Sequence, residues 1–330
     1  MTKRVTIKSI AEDLGISHMT VSRALSGNPN VHKDTRDRIE KRSRELGYVK
    51  NAAARAMRGD ATQIVGLLLP NLLNEFYAHF ANAMTLVCEQ KGFHLIIHVT
   101  NDDIFLEMRA LDRLREVQAM AVVMVPAPDD SRDEEVNLGG MRVIELIRQR
   151  AGLNRHASVL IDDHAAICNA VRYLAHAGHR EIAYIGAGSA LSSARDRLAA
   201  FRKGLVKAGL AENPGLILTD TPSFENGRES AGRLVDTQST TSIVCGGVEI
   251  SNGALSALMD RGIQPGRDIS LVGYGDPSYY KWISGGLTTV RLPVEELAQI
   301  AVAEVVAKQV EAQPGPKQKC HKLNAELIIR

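Results

Sequence analysis

The chain has 330 residues, of which 45% are hydrophobic and 24% are charged. This length suggests about two domains, and the composition is that of a soluble globular protein rather than a disordered, collagen-like or coiled-coil chain. The longest uncharged apolar run, residues 119–128, is far shorter than the ~20 residues that a membrane helix needs. The start, MTKRVTIKSIAEDLG, lacks the apolar core of a secretory signal. We therefore expect a cytoplasmic protein with no membrane partner.

The net charge of +2 conceals an uneven distribution. Residues 1–60 contain 13 Lys and Arg but 7 Asp and Glu, a charge of +6, and the rest of the chain carries −4. A small basic head on a larger acidic body favours a polyanionic partner at one end, although a solvated basic surface would give the same count. The four cysteines are scattered without a CxxC pair, so the sequence predicts reduced thiols and no metal site.

The basic head has the spacing of a helix-turn-helix. Apolar residues recur on one face of residues 7–14, which predicts a first helix, and Gly15 follows where a positive φ is favourable. Ser17 can cap a second helix, HMTVSRALS. The small Ala11 allows the two helices to cross closely. A third, highly charged helix is predicted over residues 33–46.

The second helix would lie in the major groove of DNA with its N-terminal residues at the base edges. Arg23 can pair with guanine through two hydrogen bonds, His18 can donate or accept one, and Met19 can contact a thymine methyl group. Phosphate contacts position a protein without reading sequence. Three residues suit that role: Lys8, Thr20 and Ser22.

The segment YVKNAAARAMRGD, residues 48–60, is rich in alanine and basic residues. It is too short to be a stable helix alone, so we expect it to be helical only when it packs on DNA or on a second copy of the chain. Its small alanines would allow close approach to the minor groove, with Met57 as an apolar wedge between base pairs and Arg58 at the phosphates. An ordinary flexible linker fits the sequence equally well.

After residue 62 the pattern becomes an alternation of strands and helices. Continuous apolar strands are typical of buried parallel sheets, and the first half contains them at residues 64–70, 93–100, 120–128 and 157–162, with a further possible strand at 143–147. The second half repeats the scheme with strands at 181–187, 216–220, 241–246, 268–275 and the C-terminal ELIIR. This alternation predicts two doubly wound α/β subdomains with a ligand cleft at the carboxyl ends of the strands.

Sequence motifs for catalysis or cofactor binding are absent. The chain has no P-loop, GxGxxG, GxSxG, HExxH or EF-hand spacing, and its histidines do not cluster at metal-ligand spacing. Asp162 and Asp163 follow a strand, where they could be an acid–base pair, but we interpret them as a cap for the next helix. We therefore expect no cofactor, no metal and no enzymatic activity.

The whole chain resembles the LacI/GalR family of bacterial transcriptional regulators. The resemblance rests on TIKSIAEDLGISHMTVSRALSGNPNV and TRDRIEKRSRELGYVKNAAARAMR in the head, and on IVGLLLP, NEFYA, GHREIAYIG, SARDRLAAFRKGL, DISLVGYGD and LTTVRLP in the body. It implies an N-terminal all-α helix-turn-helix DNA-binding domain and a hinge helix, followed by a two-subdomain, periplasmic-binding-protein-like doubly wound α/β body.

The resemblance also implies boundaries for these parts. The helix-turn-helix domain would comprise residues 1–50, the hinge 51–62, and the effector-binding and dimerisation domain 63–330. Within the latter, the N-subdomain would comprise about 63–162 plus 292–318, and the C-subdomain about 163–291 plus 319–330.

A homodimer on a roughly palindromic operator is the assembly that the resemblance implies. His18, Met19 and Arg23 match the base-reading positions of the family, and Ala54 and Met57 match the hinge contacts in the minor groove. A small molecule in the cleft would alter the angle between the subdomains and the order of the hinge, which links ligand affinity to operator affinity.

The effector pocket departs from the family pattern. Gly247-Val248 stands where the family commonly has Asn-Asp, Gly275 stands where an acidic residue is common, and Pro222 occupies an aromatic stacking position. The expected effector-binding residues are Phe76, Ser193, Arg197, Asp276, Arg195 and Arg148. Arg150 is an alternative to Arg148 at the cleft mouth.

Because acceptors for sugar hydroxyls look lost while arginines remain, we expect an anionic effector, a sugar acid or sugar phosphate. The regulated genes would serve uptake or catabolism of carbohydrates or gluconate-like sugar acids, and the regulator would be a repressor. Three alternatives stay open at this point: a degenerate pocket controlled by a protein partner, a solute-binding protein, and an α/β enzyme with a basic appendage.

Replacing Met57 by alanine tests the proposed wedge. Met57→Ala is expected to reduce both operator bending and operator affinity, because an alanine side chain is too short to enter between base pairs. Circular-permutation gel shifts measure the bend. A bend angle equal to that of the wild type would make Met57 an ordinary linker residue.

Overall fold

The computed structural model describes residues 5–26, 28–48, 62–128, 138, 140–150, 156–237, 240–307 and 319–330. The chain divides into two compact units, Met1–Thr62 and Gln63–Arg330. The hinge positions Ala54, Met57 and Arg58 lie outside the described residues, so what the sequence predicts for them stays a prediction.

The described residues of the head form three helices: α1 (Ile7–Leu14), α2 (His18–Leu25) and α3 (Lys33–Glu45). The predicted helix signals are confirmed, since Gly15 has a φ of 65° and the Ser17 hydroxyl accepts a hydrogen bond from the Thr20 amide at 3.0 Å. Because all three helices are amphipathic, they enclose a small apolar core. Its most buried members are Ile10, Ala11, Val21, Ala24 and Ile39.

The N-subdomain of the body is a six-stranded parallel sheet covered by helices. Its strands are β1 (Ile64–Leu69), β2 (His94–Val99), β3 (Ala121–Met124), β4 (Arg142–Leu146), β5 (Ala157–Asp162) and β11 (Cys320–Asn324), in the order β11-β5-β4-β3-β1-β2. Its helices are α4 (Glu75–Gln90), α5 (Ile104–Glu116) and α10 (Val294–Val306). Burial on both faces explains why β1 and β3 are apolar throughout.

The C-subdomain repeats this architecture. Its strands are β6 (Ile182–Ala187), β7 (Ile217–Asp220), β8 (Ser242–Cys245), β9 (Ser270–Tyr274), β10 (Thr289–Arg291) and β12 (Glu326–Ile328), in the order β12-β10-β9-β8-β6-β7. All neighbours pair in parallel except β10 and β12, which are antiparallel. Its helices are α6 (His164–His176), α7 (Ser192–Ala208), α8 (Phe224–Asp236) and α9 (Val248–Asp260).

One predicted boundary is wrong. Residues 319–330 were expected in the C-subdomain, but β11 pairs with β5 along its whole length in the N-subdomain sheet. The chain therefore returns to the second sheet only at Ala325, before β12. The strand escaped prediction because it is an edge strand in which only Leu323 is buried, so it lacks a continuous apolar run.

Helix α10 ends at Val306, and residues 308–318 lie outside the described part of the chain. In the described ranges, no helix is both long enough and apolar enough to cross a bilayer.

Candidate DNA-reading surface and effector cleft

Helix α2 separates an inward apolar face from an outward polar one. Val21 and Ala24 are buried in the core of the head, whereas His18, Met19 and Arg23 are exposed. Met19 and Arg23 lie four residues apart, so they share one side of the helix. The structure thus places the three predicted base-reading residues on the accessible surface of α2, and Met19 is 52% exposed despite being apolar.

The predicted phosphate contacts differ in exposure. Lys8 on α1 is exposed, while Thr20 and Ser22 on α2 are partly buried. The Thr20 hydroxyl lies 2.9 Å from that of Ser17, so it shares in the cap at the beginning of α2. Lys8 is therefore the most accessible of the three for a phosphate contact.

The second site is a cleft between the two subdomains of the body, at the carboxyl ends of the strands. Phe76, Asp102 and Arg148 line it from the N-subdomain, and Arg197 and Tyr274 from the C-subdomain. Four of the six predicted effector residues line this cleft: Phe76, Ser193, Arg197 and Arg148. Phe76 is buried against the aromatic rings of its helix, with Tyr77 at 5.6 Å and Phe80 at 6.4 Å between ring centroids.

Arg197 is fixed in the C-subdomain wall by a buried polar cluster. Its Nε donates to Asp163 Oδ2 at 2.7 Å, and its Nη1 donates to the Gly246 carbonyl at 3.0 Å. Its guanidinium carbon lies 4.2 Å from the centroid of the Tyr274 ring, a cation–π contact. The Tyr274 hydroxyl donates to Asp163 at 2.6 Å, and burial raises the pKa of this tyrosine well above its ordinary value. The cluster holds one carboxylate between two donors.

The helix-cap interpretation is wrong for Asp163. Its side chain makes no capping hydrogen bond to α6; its Oδ2 instead accepts from Arg197 and Tyr274. The neighbouring Asp162 instead accepts from the His164 amide at 3.2 Å. Adjacent aspartates look alike in the sequence, so it could not show that Asp163 joins a buried cluster while Asp162 meets the helix amide.

Arg148 is the corresponding cation of the N-subdomain wall. Its side chain is 6% exposed; it forms a close ion pair with Asp102, and its Nε donates to the Pro126 carbonyl at 2.7 Å. The preceding Ile147 has a φ of 67°, and the Arg148 amide donates to the Leu146 carbonyl at 2.7 Å. This three-residue turn is a rare and strained conformation. It redirects the chain directly after β4 and brings Arg148 to the cleft.

Asp276 and Arg195 do not line the cleft. Asp276 is paired with Arg330, whose Nη2 lies 2.8 Å from its Oδ1 and 2.9 Å from its Oδ2. Gly275, with a φ of 86°, turns the chain away before it. Arg195 donates to the Ser189 carbonyl at 2.7 Å. Because two residues of a helix span about 200°, Arg195 and Arg197 face opposite sides of α7.

Acceptor groups missed by the sequence analysis are present in the cleft. Asp102 and Glu249 line it together with Asn71 and Asn74. The side-chain oxygens of the two asparagines already accept hydrogen bonds from backbone amides. Burial, followed by the charges of Glu225 and Glu75, raises the pKa of Glu249. The cleft therefore contains carboxylates that the comparison with the family pattern did not reveal. Glu249 is the second residue of α9, and the segment between β8 and this helix follows a strand end, where the strand-end rule expects ligand contacts.

Two family models match this chain. The model of the bacterial regulatory proteins of the lacI family matches residues 6–51, and the model of the periplasmic binding protein-like domain matches residues 171–330. Together the two matches span more than half of the chain.

Curated relatives of similar length are regulators. The HTH-type transcriptional regulator DegA of Bacillus subtilis (strain 168) is 27% identical over 297 residues, which cover 89% of this chain and 88% of the relative. The HTH-type transcriptional regulator GalR of Escherichia coli (strain K12) is 27% identical over 313 residues, which cover 94% and 91%.

A crystal structure of the Lac repressor dimer bound to operator and the anti-inducer ONPF has the same fold. The TM-score is 0.81 at 20% identity, with 99% of this chain and 98% of that chain covered. The helix-turn-helix head and the two-subdomain body define a DNA-binding transcriptional regulator. The chain belongs to the LacI family of bacterial regulatory proteins. At the level of the family, relatives named as regulators support the expectation that the chain is not an enzyme.

The Asp163 cluster predicts a ranking of stabilities. Asp163→Asn is expected to lower the free energy of unfolding by about 3–5 kcal/mol, because it leaves Arg197 buried without a counter-charge. Tyr274→Phe removes a single hydrogen bond to a carboxylate and should cost about 1.5–3 kcal/mol. Urea unfolding of the full chain, followed by circular dichroism, measures both. Asp260→Asn, at an exposed ion pair with Arg228, is the control; an equal loss in all three variants would contradict the ranking.

Glu145 on β4 predicts a pH dependence of stability. Burial raises the pKa of this carboxyl from 4.5 to about 7, so the folded state holds a proton that the unfolded chain releases at lower pH. Stability should therefore fall by about 3 kcal/mol as the pH rises from 4 to 8. Glu145→Gln retains an acceptor for the Arg150 amide and should remove most of this dependence. Urea unfolding at a series of pH values measures the free energy of unfolding. If this free energy changes equally with pH in wild type and variant, Glu145 is not the source of the pH dependence.

Proposed function

We propose that the protein is a repressor that binds a specific operator as a homodimer in the cytoplasm and that a small molecule in the cleft controls its operator affinity. The proposal rests on the outward face of α2, where His18, Met19 and Arg23 are exposed, whereas Val21 and Ala24 on its other face are buried. That is the arrangement of a recognition helix.

The two-subdomain body supports control by a small ligand. The cleft is lined from both subdomains, so a ligand that contacts both walls stabilises one angle between them relative to others. The hinge would transmit this difference to the head. The regulated genes would serve uptake or catabolism of a carbohydrate or a sugar acid, because the cleft offers the mixture of groups that hydroxyl-rich molecules need.

The paired charges of the cleft bear on the nature of this ligand. Arg148 and Arg197 are each bound to an aspartate, and Asp102 and Glu249 add acceptors to the lining. Alternating donors and acceptors beside Phe76 and Tyr274 suit a polyhydroxylated ring or chain. We therefore infer that the part of the effector in this cleft is uncharged and hydroxyl-rich. This differs from the sequence-based expectation of an anion held in the cleft by arginines alone.

A gel shift with DNA from upstream of the protein's own gene tests the central proposal. We expect a discrete complex that survives an excess of unrelated genomic DNA. Unlabelled specific DNA and unlabelled unrelated DNA are compared as competitors. If both displace the complex at the same concentration, sequence-specific binding is refuted.

Calorimetry against neutral sugars, sugar acids and sugar phosphates tests the effector. We expect binding of a compound with several hydroxyl groups, and the same compound should change operator affinity in the gel shift. If no compound gives a heat of binding, the result would instead support a degenerate pocket and control by a protein partner.

Arg23→Ala tests base reading. The variant should lose about 1–3 kcal/mol of discrimination at one base position in each half-site, because a bidentate contact to guanine is removed. Lys8→Ala is the matched control, since loss of a phosphate contact weakens all sequences alike. Binding to a set of single-base operator variants distinguishes the two. A uniform loss in Arg23→Ala would make Arg23 a phosphate contact.

A further inference from the structure

A second hollow adjoins the effector cleft. The segment after β4 contributes Arg148, Gln149 and Arg150 to its wall, and the beginning of α7 contributes Ser192 and Arg195. Arg148 borders both the cleft and the hollow, as does Leu191. The cleft and the hollow therefore lie on opposite sides of these two side chains. A single molecule can occupy both of them.

The hollow differs from the cleft in its charge. Three arginines line it, and among the lining residues that the structure describes there is no Asp or Glu. The cleft, by contrast, combines two arginines with Asp102 and Glu249. Arg148 and Arg150 pair with Asp102 and Glu107, which lie outside this lining, so Arg195 supplies the positive charge that has no carboxylate partner among the described residues. Since a concave surface with one sign of charge concentrates the opposite charge, the hollow favours an anion.

Hydrogen-bonding capacity at the hollow is incompletely used. Arg195 is exposed, and the hydrogen bonds seen for it in the described part of the chain use only Nη1, which donates to the Ser189 and Ala190 carbonyls. Arg150 forms a close ion pair with Glu107, but its buried Nε has no hydrogen-bond partner among the described residues. An unsatisfied buried donor is costly, but the donors that an oxyanion in the hollow can reach are the remaining N–H groups of the exposed Arg195.

The beginning of α7 adds donors of its own. The first amides of a helix have no intrahelical acceptor, and the positive end of the helix dipole attracts anions. The cap residue Leu191 offers no side-chain acceptor to these amides. At the same place the Gln149 amide donates to the Ser192 hydroxyl at 3.0 Å, which links the two subdomains across the hollow.

We propose that this hollow is an oxyanion subsite that binds the carboxylate or phosphate group of an effector whose hydroxyl-rich part lies in the cleft. The inference rests on the proposed role of the cleft. It gives the main anion-holding role to Arg195, because Arg148, Arg150 and Arg197 are each paired with a carboxylate. Because the hollow is walled by both subdomains, the anion also favours their closed arrangement.

Titration calorimetry of the full-length protein with inorganic phosphate, at 0.15 M ionic strength to screen exposed charges, tests the subsite directly. Arg195→Glu should weaken phosphate binding at least tenfold. Arg202→Glu is the matched control, because Arg202 is an exposed arginine of the same helix that lies outside the hollow and pairs with Glu212; it should leave the affinity unchanged. Equal affinities in wild type and Arg195→Glu, or an equal loss in both variants, would overturn the proposal.

A second arm compares glucose, gluconate and glucose 6-phosphate as probes. At least one of the two anions should bind the wild type ten times more tightly than glucose, and Arg195→Glu should abolish this preference. Which anion is preferred distinguishes a carboxylate from a phosphate. A preference for the anion that survives Arg195→Glu would overturn the subsite. Neither arm involves DNA, so failure of the subsite is distinguishable from failure of the regulator proposal, which the gel shift tests.

Discussion

The buried carboxylate of Asp163 is the constraint on which the effector cleft depends. It accepts hydrogen bonds from Arg197 and from Tyr274, and these two side chains also stack on each other. The cluster joins the beginning of α6, the first turns of α7 and the end of β9. One wall of the cleft is therefore rigid and locally neutral, although it presents a guanidinium group to the ligand.

The opposite wall repeats this arrangement with different backbone chemistry. Asp102 neutralises Arg148, and the strained turn at Ile147 places that arginine. Such strain persists only where the surroundings over-determine it, and here β4, β5 and the Pro126 carbonyl fix the segment. The cleft walls are neutral, and in the adjoining hollow Arg195 has no carboxylate partner among the described residues. On the proposed assignment, the cleft would therefore recognise hydroxyl groups and the hollow would recognise charge.

Local sequence patterns were sufficient to predict most of the helices and strands. Apolar periodicity, Gly15 and Ser17 located the recognition helix, and the apolar strands located both sheets. The edge strand β11 was missed because only Leu323 marks it. Side-chain pairing was the harder problem: sequence identified Arg148 and Arg197 as cleft residues, but their partners Asp102 and Asp163 come from other elements. Spacing in one sequence cannot show such long-range pairs, so the arginines looked free and the cleft looked cationic.

Competition binding of the purified protein to its operator against bulk genomic DNA tests the central claim most directly. A sequence-reading dimer should prefer the operator by at least about 10³-fold at 0.15 M salt, with a steep salt dependence from its phosphate contacts. A ratio near one, or a complex that contains a single copy of the chain, would contradict the account.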